Sequence, residues 1–195
     1  MRVHALALLS VALGVGASQP CAECHAQAVR SYALSKHGVL ARLHPGRTPV
    51  CADCHPQAAR IAPIHLTHPG ERAKARDEAT ALCRRCHSPR YVAEQLAFAE
   101  RARAIGELKL AEAQAVLVAA RAELPQEPLA RLEADLVRMR TVSMVNLRLG
   151  LAHQSPDYQW WHGQAALDGD LLRIKGGLGD ARRSLAGDPG RASGR

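Results

Sequence analysis

Three pentapeptides share one pattern: CAECH (Cys21, Cys24, His25), CADCH (Cys51, Cys54, His55) and CRRCH (Cys83, Cys86, His87). Each places two thiols three positions apart and an imidazole on the next residue. That spacing suits covalent attachment of a c-type haem. The thiols add to the two vinyl groups of one porphyrin, and the histidine becomes the proximal ligand of its iron. The three copies use all six cysteines of the chain. Two other chemistries use paired cysteines. A zinc site would want paired knuckles and no fixed histidine after each second cysteine. A thioredoxin-like redox pair would occur once, at a strand-to-helix junction. The triple repeat therefore points to three covalently attached haem c groups, with the thiols ending as thioethers.

A haem iron needs a sixth ligand or leaves a position open to substrate. Besides the proximal residues and the N-terminal His4, the chain has His37, His44, His65, His68, His153 and His162. His37, in SKHG, is the first candidate for a distal ligand. Gly38 beside it would let a porphyrin approach closely. His68, in THPG, is the second. His44 and His65 rank lower, as surface or propionate-contacting residues. His153 and His162 belong to a separate stretch described below.

The elements that must hold these residues follow from punctuation and composition. The motifs begin at positions 21, 51 and 83, about thirty residues per haem. Pro45, Pro49, Pro56, Pro63 and Pro69 interrupt Ser18 to Pro89, and no period-two strand pattern runs through it. Short helices and loops wrapped on porphyrin faces are expected there. The whole chain has one Phe, two Trp and three Tyr, so its apolar core would be thin without the porphyrins. The N-terminal half is not expected to fold as apo-protein.

After His87 the composition changes. Tyr91 to Glu123 is rich in Ala, Leu, Glu and Arg and reads as one long helix started at Ser88-Pro89. Val92, Leu96, Ala99, Ile105, Leu108 and Val116 approximate its apolar stripe. Leu124 to Pro128 is the break. Leu129 to Leu149 is a second helix with Leu132, Leu136, Met139, Val142 and Val145 inward. The two can pair as an antiparallel hairpin. Gly150 to Pro156 turns the chain, and Asp157 to Lys175 forms a third helix ending at Gly176-Gly177. No strict heptad is sustained. The fold class is all-α: a haem-packed region of short helices and loops over 18–89, then a long-helix hairpin or bundle over 90–175. A disordered tail is expected over 176–195.

His153-Gln154-Ser155-Pro156-Asp157-Tyr158-Gln159-Trp160-Trp161-His162-Gly163 gathers both tryptophans, one tyrosine and two histidines. It reads equally as a haem-edge lid, with His153 or His162 completing a distal position, or as a helix start anchored by aromatics.

Arg2, the apolar run Ala5 to Gly14 and the small residues Val15-Gly16-Ala17 read as a secretory signal over 1–17. The run is short for a membrane span, and an uncleaved anchor is the other reading. Export fits c-type haem attachment, which occurs outside the cytoplasm, so a periplasmic or otherwise exported protein with no membrane span after cleavage is expected. The formal charge is +8. Haem propionates would offset much of it, so the basic balance does not point to nucleic acid.

The order CAECH, SYALSKHG, CADCH, HLTHPGERA, CRRCHSPRYV, then two long helices and HQSPDYQWWHG, resembles the C-terminal portion of the octahaem hydroxylamine oxidoreductase family. The resemblance covers nearly all of the chain after the signal. SKHG, CHSPRYV running into a helix, and the HxxPDY stretch are its more specific phrases. It implies a helical, haem-packed fold with bis-histidine electron-transfer haems, and often a homotrimer or other oligomer through the C-terminal helices. It also implies His37 and His68 as distal ligands, with His153 a further candidate. The family's substrate-binding haem lies upstream of the matched region. The signal stands directly before the first matching haem here, so the catalytic haem is expected to be missing. Tyr158 is a conceivable counterpart of the tyrosine that oxidising members bond to that haem.

Two functions follow. The first is a periplasmic trihaem cytochrome carrying electrons between redox partner proteins. The second is an enzyme or enzyme subunit acting on hydroxylamine, nitrite or a related small nitrogen compound at an open haem. A structural or sensory haem module is a third.

Overall fold

The computed structural model describes residues 19–55 and 69–187. The signal over 1–17, His65, His68 and residues 188–195 lie outside the described residues. Among those described, the chain is all-α, with no strand. No described helix is long and apolar enough to cross a membrane.

The first four helices are α1 (Gln19–Ala33), α2 (Lys36–Leu43), α3 (Cys51–Cys54) and α4 (Pro69–Cys83). Ser35 starts α2 by accepting a hydrogen bond from the Gly38 amide at 3.0 Å. The chain itself requires Gly38: a Cβ there would sit 2.1 Å from the Tyr32 carbonyl oxygen. The glycine lets α2 fold back on the end of α1. Asp53 reaches back to the Val50 amide at 2.7 Å and starts α3.

The long helix α5 spans Pro89–Ala120. Ser88 caps it, and proline occupies its first turn. Its buried face is built from small residues more than from the expected stripe. Val92, Gly106, Ala113, Leu117 and Ala120 are buried, whereas Ile105 is 49% and Leu108 70% exposed. A Cβ at Gly106 would meet Leu147 Cδ2 at 2.5 Å and Leu167 Cδ1 at 3.2 Å. The helix crosses its neighbours at that glycine, which turns the adjacent large residues outward.

Pro125 caps α6 (Gln126–Arg138), which passes through a π-helical turn, Met139–Ser143, into α7 (Met144–His153). The second expected helix is therefore present but not uniform. A π turn adds one residue to the helical repeat. Leu132 and Met139 face the core as expected, but Val142 is exposed, and Ser143, Met144, Leu147 and Leu151 take the inner positions. The inner Val142 and Val145 of the sequence reading assumed an uninterrupted α period.

The helix also runs past Gly150 to His153. Gln154 then takes a left-handed conformation with φ 54°. After α8 (Pro156–Gln159) and a second π turn, Trp160–Gln164, α9 runs over Ala165–Ala186. It does not end at Gly176-Gly177, and residues 176–186, expected in the tail, are helical. Leu167, Ile174 and Leu178 are buried, with Leu171, Ala181 and Leu185 partly so. This stripe carries the helix through the glycines. Gly177 lies against α6, where a Cβ would stand 2.8 Å from Leu132 Cδ2.

The core lies among α5, α6, α7 and α9. Within it, Asp170 accepts hydrogen bonds from Ser143 at 2.6 Å and from Arg173 at 2.6 Å, and pairs with Arg138. α1 rests on α7, where Gln27 donates to Asn146 at 2.5 Å, and α4 lies along α5 through the Arg76–Glu100 pair.

Candidate functional site

The described histidines of the three motifs stand where helical geometry stops. His25 interrupts α1 with φ −123° and ψ 40°. His55 ends α3 with nearly the same backbone, φ −125° and ψ 68°. In the second and third motifs the histidine amide donates to the carbonyl of the first cysteine, His55 to Cys51 at 2.8 Å and His87 to Cys83 at 3.0 Å. One helical turn thus brings both thiols and the imidazole to one side of the chain. This is the local reason for the spacing.

All six cysteines are free thiols. In each motif the first is partly buried (Cys21, Cys51, Cys83) and the second exposed (Cys24, Cys54, Cys86). The motifs also neighbour one another. Cys51 lies within electrostatic reach of Cys21, and Cys54 of Cys83. Burial pushes the Cys51, Cys54 and Cys83 thiols above their ordinary range, and the neighbouring cysteines push Cys51 and Cys54 the same way. Among the described residues no three His, Cys, Asp or Glu side chains converge to hold a metal ion.

Two of the imidazoles come together. His37, from the start of α2, faces His87, with ring centroids 5.9 Å apart and planes tilted by 31°. Two imidazoles bound across one metal, each at about 2 Å, place their centroids about 6 Å apart, so this separation suits one shared ion. His153, at the end of α7, lies within electrostatic reach of His55. Its pKa falls from 6.5 to about 4, chiefly because it is buried and secondarily because His55 is close. Its Nδ1 is buried with no hydrogen-bond partner. A neutral imidazole with an orphaned nitrogen has a lone pair free to ligate a metal. Burial also lowers His37 and His55, which keeps their lone pairs available.

Haem therefore fits the residues present: free thiols at the motif spacing, one facing pair of imidazoles, and an unsatisfied buried ring nitrogen. His25 is exposed and has no ring contact among the described residues. His68, its remaining sequence candidate, lies outside them. His44 is exposed at the end of α2. His162 pairs with Asp157 at 3.2 Å.

The stretch from His153 to Gly163 divides in two. Tyr158 is buried against the Gly150 and Gly163 backbones, as the anchoring reading expects. Trp160 and Trp161 are 67% and 73% exposed.

Two tyrosines stand at the paired imidazoles without having been singled out in the sequence. Tyr32 meets His153 edge-on with centroids 6.4 Å apart, and its hydroxyl donates to the Pro49 carbonyl at 2.7 Å. Burial and the nearby Cys51, Cys54 and Asp53 hold its pKa above the usual value. Tyr91 stacks on His87 at 4.9 Å. Its signal was its place one helical turn after the motif histidine. No family model and no curated protein matches the chain.

Proposed function

We propose that the chain is a trihaem c-type cytochrome, exported and acting as an electron carrier between redox partner proteins, related to the octahaem hydroxylamine oxidoreductase family. Cys21 and Cys24, Cys51 and Cys54, and Cys83 and Cys86 would hold the three groups, with His25, His55 and His87 as proximal ligands. His37 would complete the third site and His153 the second. His68 is the candidate for the first. Bound haem supplies one-electron Fe(II)/Fe(III) chemistry.

The observation that carries this reading is the pairing of His37 with His87 at 5.9 Å. A proximal residue fixed by its motif meets a histidine nominated independently from sequence. Paired imidazoles close a metal site to substrate and suit electron transfer over turnover. Cys51 feels Cys21, and Cys54 feels Cys83, so the second motif neighbours both of the others. That order suits a continuous path. The haem-bearing segment would pack on a helical bundle formed by the C-terminal helices. The exposed Ile105, Leu108, Val118 and Leu172 of these helices suit a homotrimer or other oligomer.

The test is haem stoichiometry by pyridine haemochrome with low-temperature electron paramagnetic resonance on the oxidised protein. Three haems, all low-spin, are expected. A high-spin ferric signal would mean an open iron and favour an enzyme of hydroxylamine or nitrite chemistry. Fewer than three haems would remove the framework of both.

A further inference from the structure

We propose that Tyr91 is a positioning residue for the proximal imidazole of the third site. By stacking on His87 it fixes the rotation of that ring, and so the angle between the His87 and His37 planes. The proposal rests on the trihaem reading and assigns to the chain a control over haem electronic structure that the reading alone does not contain.

The backbone on both sides of His87 is already pinned. Its amide donates to Cys83, 3.0 Å away. On the other side, Ser88 caps α5: its hydroxyl accepts from the Tyr91 amide at 3.3 Å and its carbonyl from Val92 at 3.1 Å. Pro89 holds the first helical position with its φ fixed. Val92 is buried and anchors the turn. Residues 87 and 91 are one helical turn apart, so this cap sets the tyrosine ring over the imidazole.

What remains free is the imidazole's own rotation. A ligating histidine is ordinarily oriented by a hydrogen bond from its second ring nitrogen. Among the described residues no hydrogen bond orients the His87 ring. The face of Tyr91 takes that place, with centroids 4.9 Å apart and planes 30° from each other. His37, on the other contact of the same ring, is tilted by 31°. His87 is thus tilted by 31° from His37 and by 30° from Tyr91. His153 receives the edge of Tyr32 at 83° instead, so the face-on device belongs to the third site.

The plane of an axial imidazole decides which iron orbitals it overlaps. Two near-parallel planes reinforce one another, whereas crossed planes cancel and move the low-field resonance of a low-spin ferric ion to lower field. Ring orientation is therefore a lever on a haem site, and it is read directly in the spectrum.

The experiment uses the full, haem-loaded chain with wild type, Tyr91→Phe, Tyr91→Leu and Tyr91→Ala, and with His37→Ala to identify the third-site signal by its loss. Haemochrome is measured on each. In Tyr91→Phe the third-site resonance should coincide with wild type, because the stacking face is kept. In Tyr91→Leu and Tyr91→Ala it should shift to lower field and broaden, with the other two signals unmoved. Tyr91 is 42% exposed, so these changes spare the core. Should Tyr91→Ala lose haem, Tyr91→Leu, which keeps apolar bulk without a flat face, decides. A leucine variant that retains three haems and superimposes on wild type overturns the proposal. Failure of the trihaem reading shows separately, as fewer than three haems in the wild type.

Discussion

His153 shows how a ligand candidate differs from a core histidine. A buried structural histidine satisfies both ring nitrogens, whereas Nδ1 of His153 has no partner. Its pKa falls from 6.5 to about 4, through burial first and His55 second. The sign of the resulting pH dependence follows. Between pH 6.5 and about 4 the unfolded chain binds a proton that the folded chain excludes, so acidification through this window favours unfolding. The loss amounts to at most about 3 kcal/mol. Metal ligation at the same ring works in the same direction, since a proton competes with the metal for the lone pair. The thermal midpoint of the loaded protein should fall as pH drops through the window, and His153→Asn should flatten that slope. An unchanged slope in the variant would remove His153 as its source. At this scale the motifs were legible in the sequence because the attachment proposed for them is a local chemistry of five residues. The pairing was not. His37 and His87 meet only because α2 folds back on α1 at Gly38 and α5 is capped beside its motif, and neither event leaves a periodic trace.

Helix positions were more legible than helix phase. Ser88-Pro89 marked the start of α5 correctly, because a cap and a first-turn proline are local signals. The apolar stripes were legible in part, with Val92, Leu132 and Met139 buried as expected, and two physical reasons account for the rest. A π turn at Met139–Ser143 shifts the inner face by one residue, and the close crossing at Gly106 leaves Ile105 and Leu108 outward. The glycines consequently divide by what stands opposite them. At Gly106 a Cβ would press on the ends of Leu147, Leu167 and Met144, all flexible side chains. At Gly150 it would press on backbone, the Gln159 amide nitrogen at 2.5 Å and the Tyr158 carbonyl carbon at 2.6 Å. Backbone cannot give way without opening the corner between α7 and α8. Gly150→Ala should cost about 3 kcal/mol, at the upper end of overpacking effects. Gly106→Ala should cost about 1 kcal/mol or less, because alanine's better helix propensity offsets part of the clash. Urea unfolding of the two variants checks the order. Equal destabilisation would mean that the corner is not rigid. That corner carries His153 at its edge, so Gly150→Ala should also weaken the second-site low-spin signal, which Gly106→Ala should leave unchanged.

Across the whole molecule, apolar burial is lopsided. The buried hydrophobic side chains begin at Val92 and continue to Leu178 among the described residues. Before Val92 the fully buried positions are Ser31, Ser35 and Gly38, and the six thiols are half-buried or exposed. Leu34, Val39, Leu40 and Leu43 of the first two helices are exposed. Short helices that bury so little apolar surface do not offset the conformational entropy of ordering them. The C-terminal helices have a core of their own, with Leu117, Met139, Met144, Leu147, Leu167 and Ile174 nearly or wholly buried. The two parts should therefore respond differently to the cofactor. Porphyrins are large apolar plates, and three of them would supply the missing interior and tie the segment to α7 through His153 and to α5 through His87. Expressed without haem attachment, the chain should be cut rapidly by trypsin before Pro89, at sites such as Arg42, Arg47, Arg84 and Arg85. A fragment beginning near α5 should persist. The haem-loaded chain should resist cleavage at the same arginines. The measurement is a digestion time course of both forms, read by mass spectrometry. Equal protection of the N-terminal segment in the two forms would show that it folds without porphyrin, and the haem-packed architecture would have to be abandoned. Loss of both parts at once in the haem-free form would instead make the C-terminal core dependent on the cofactor, against the burial seen in α5 to α9.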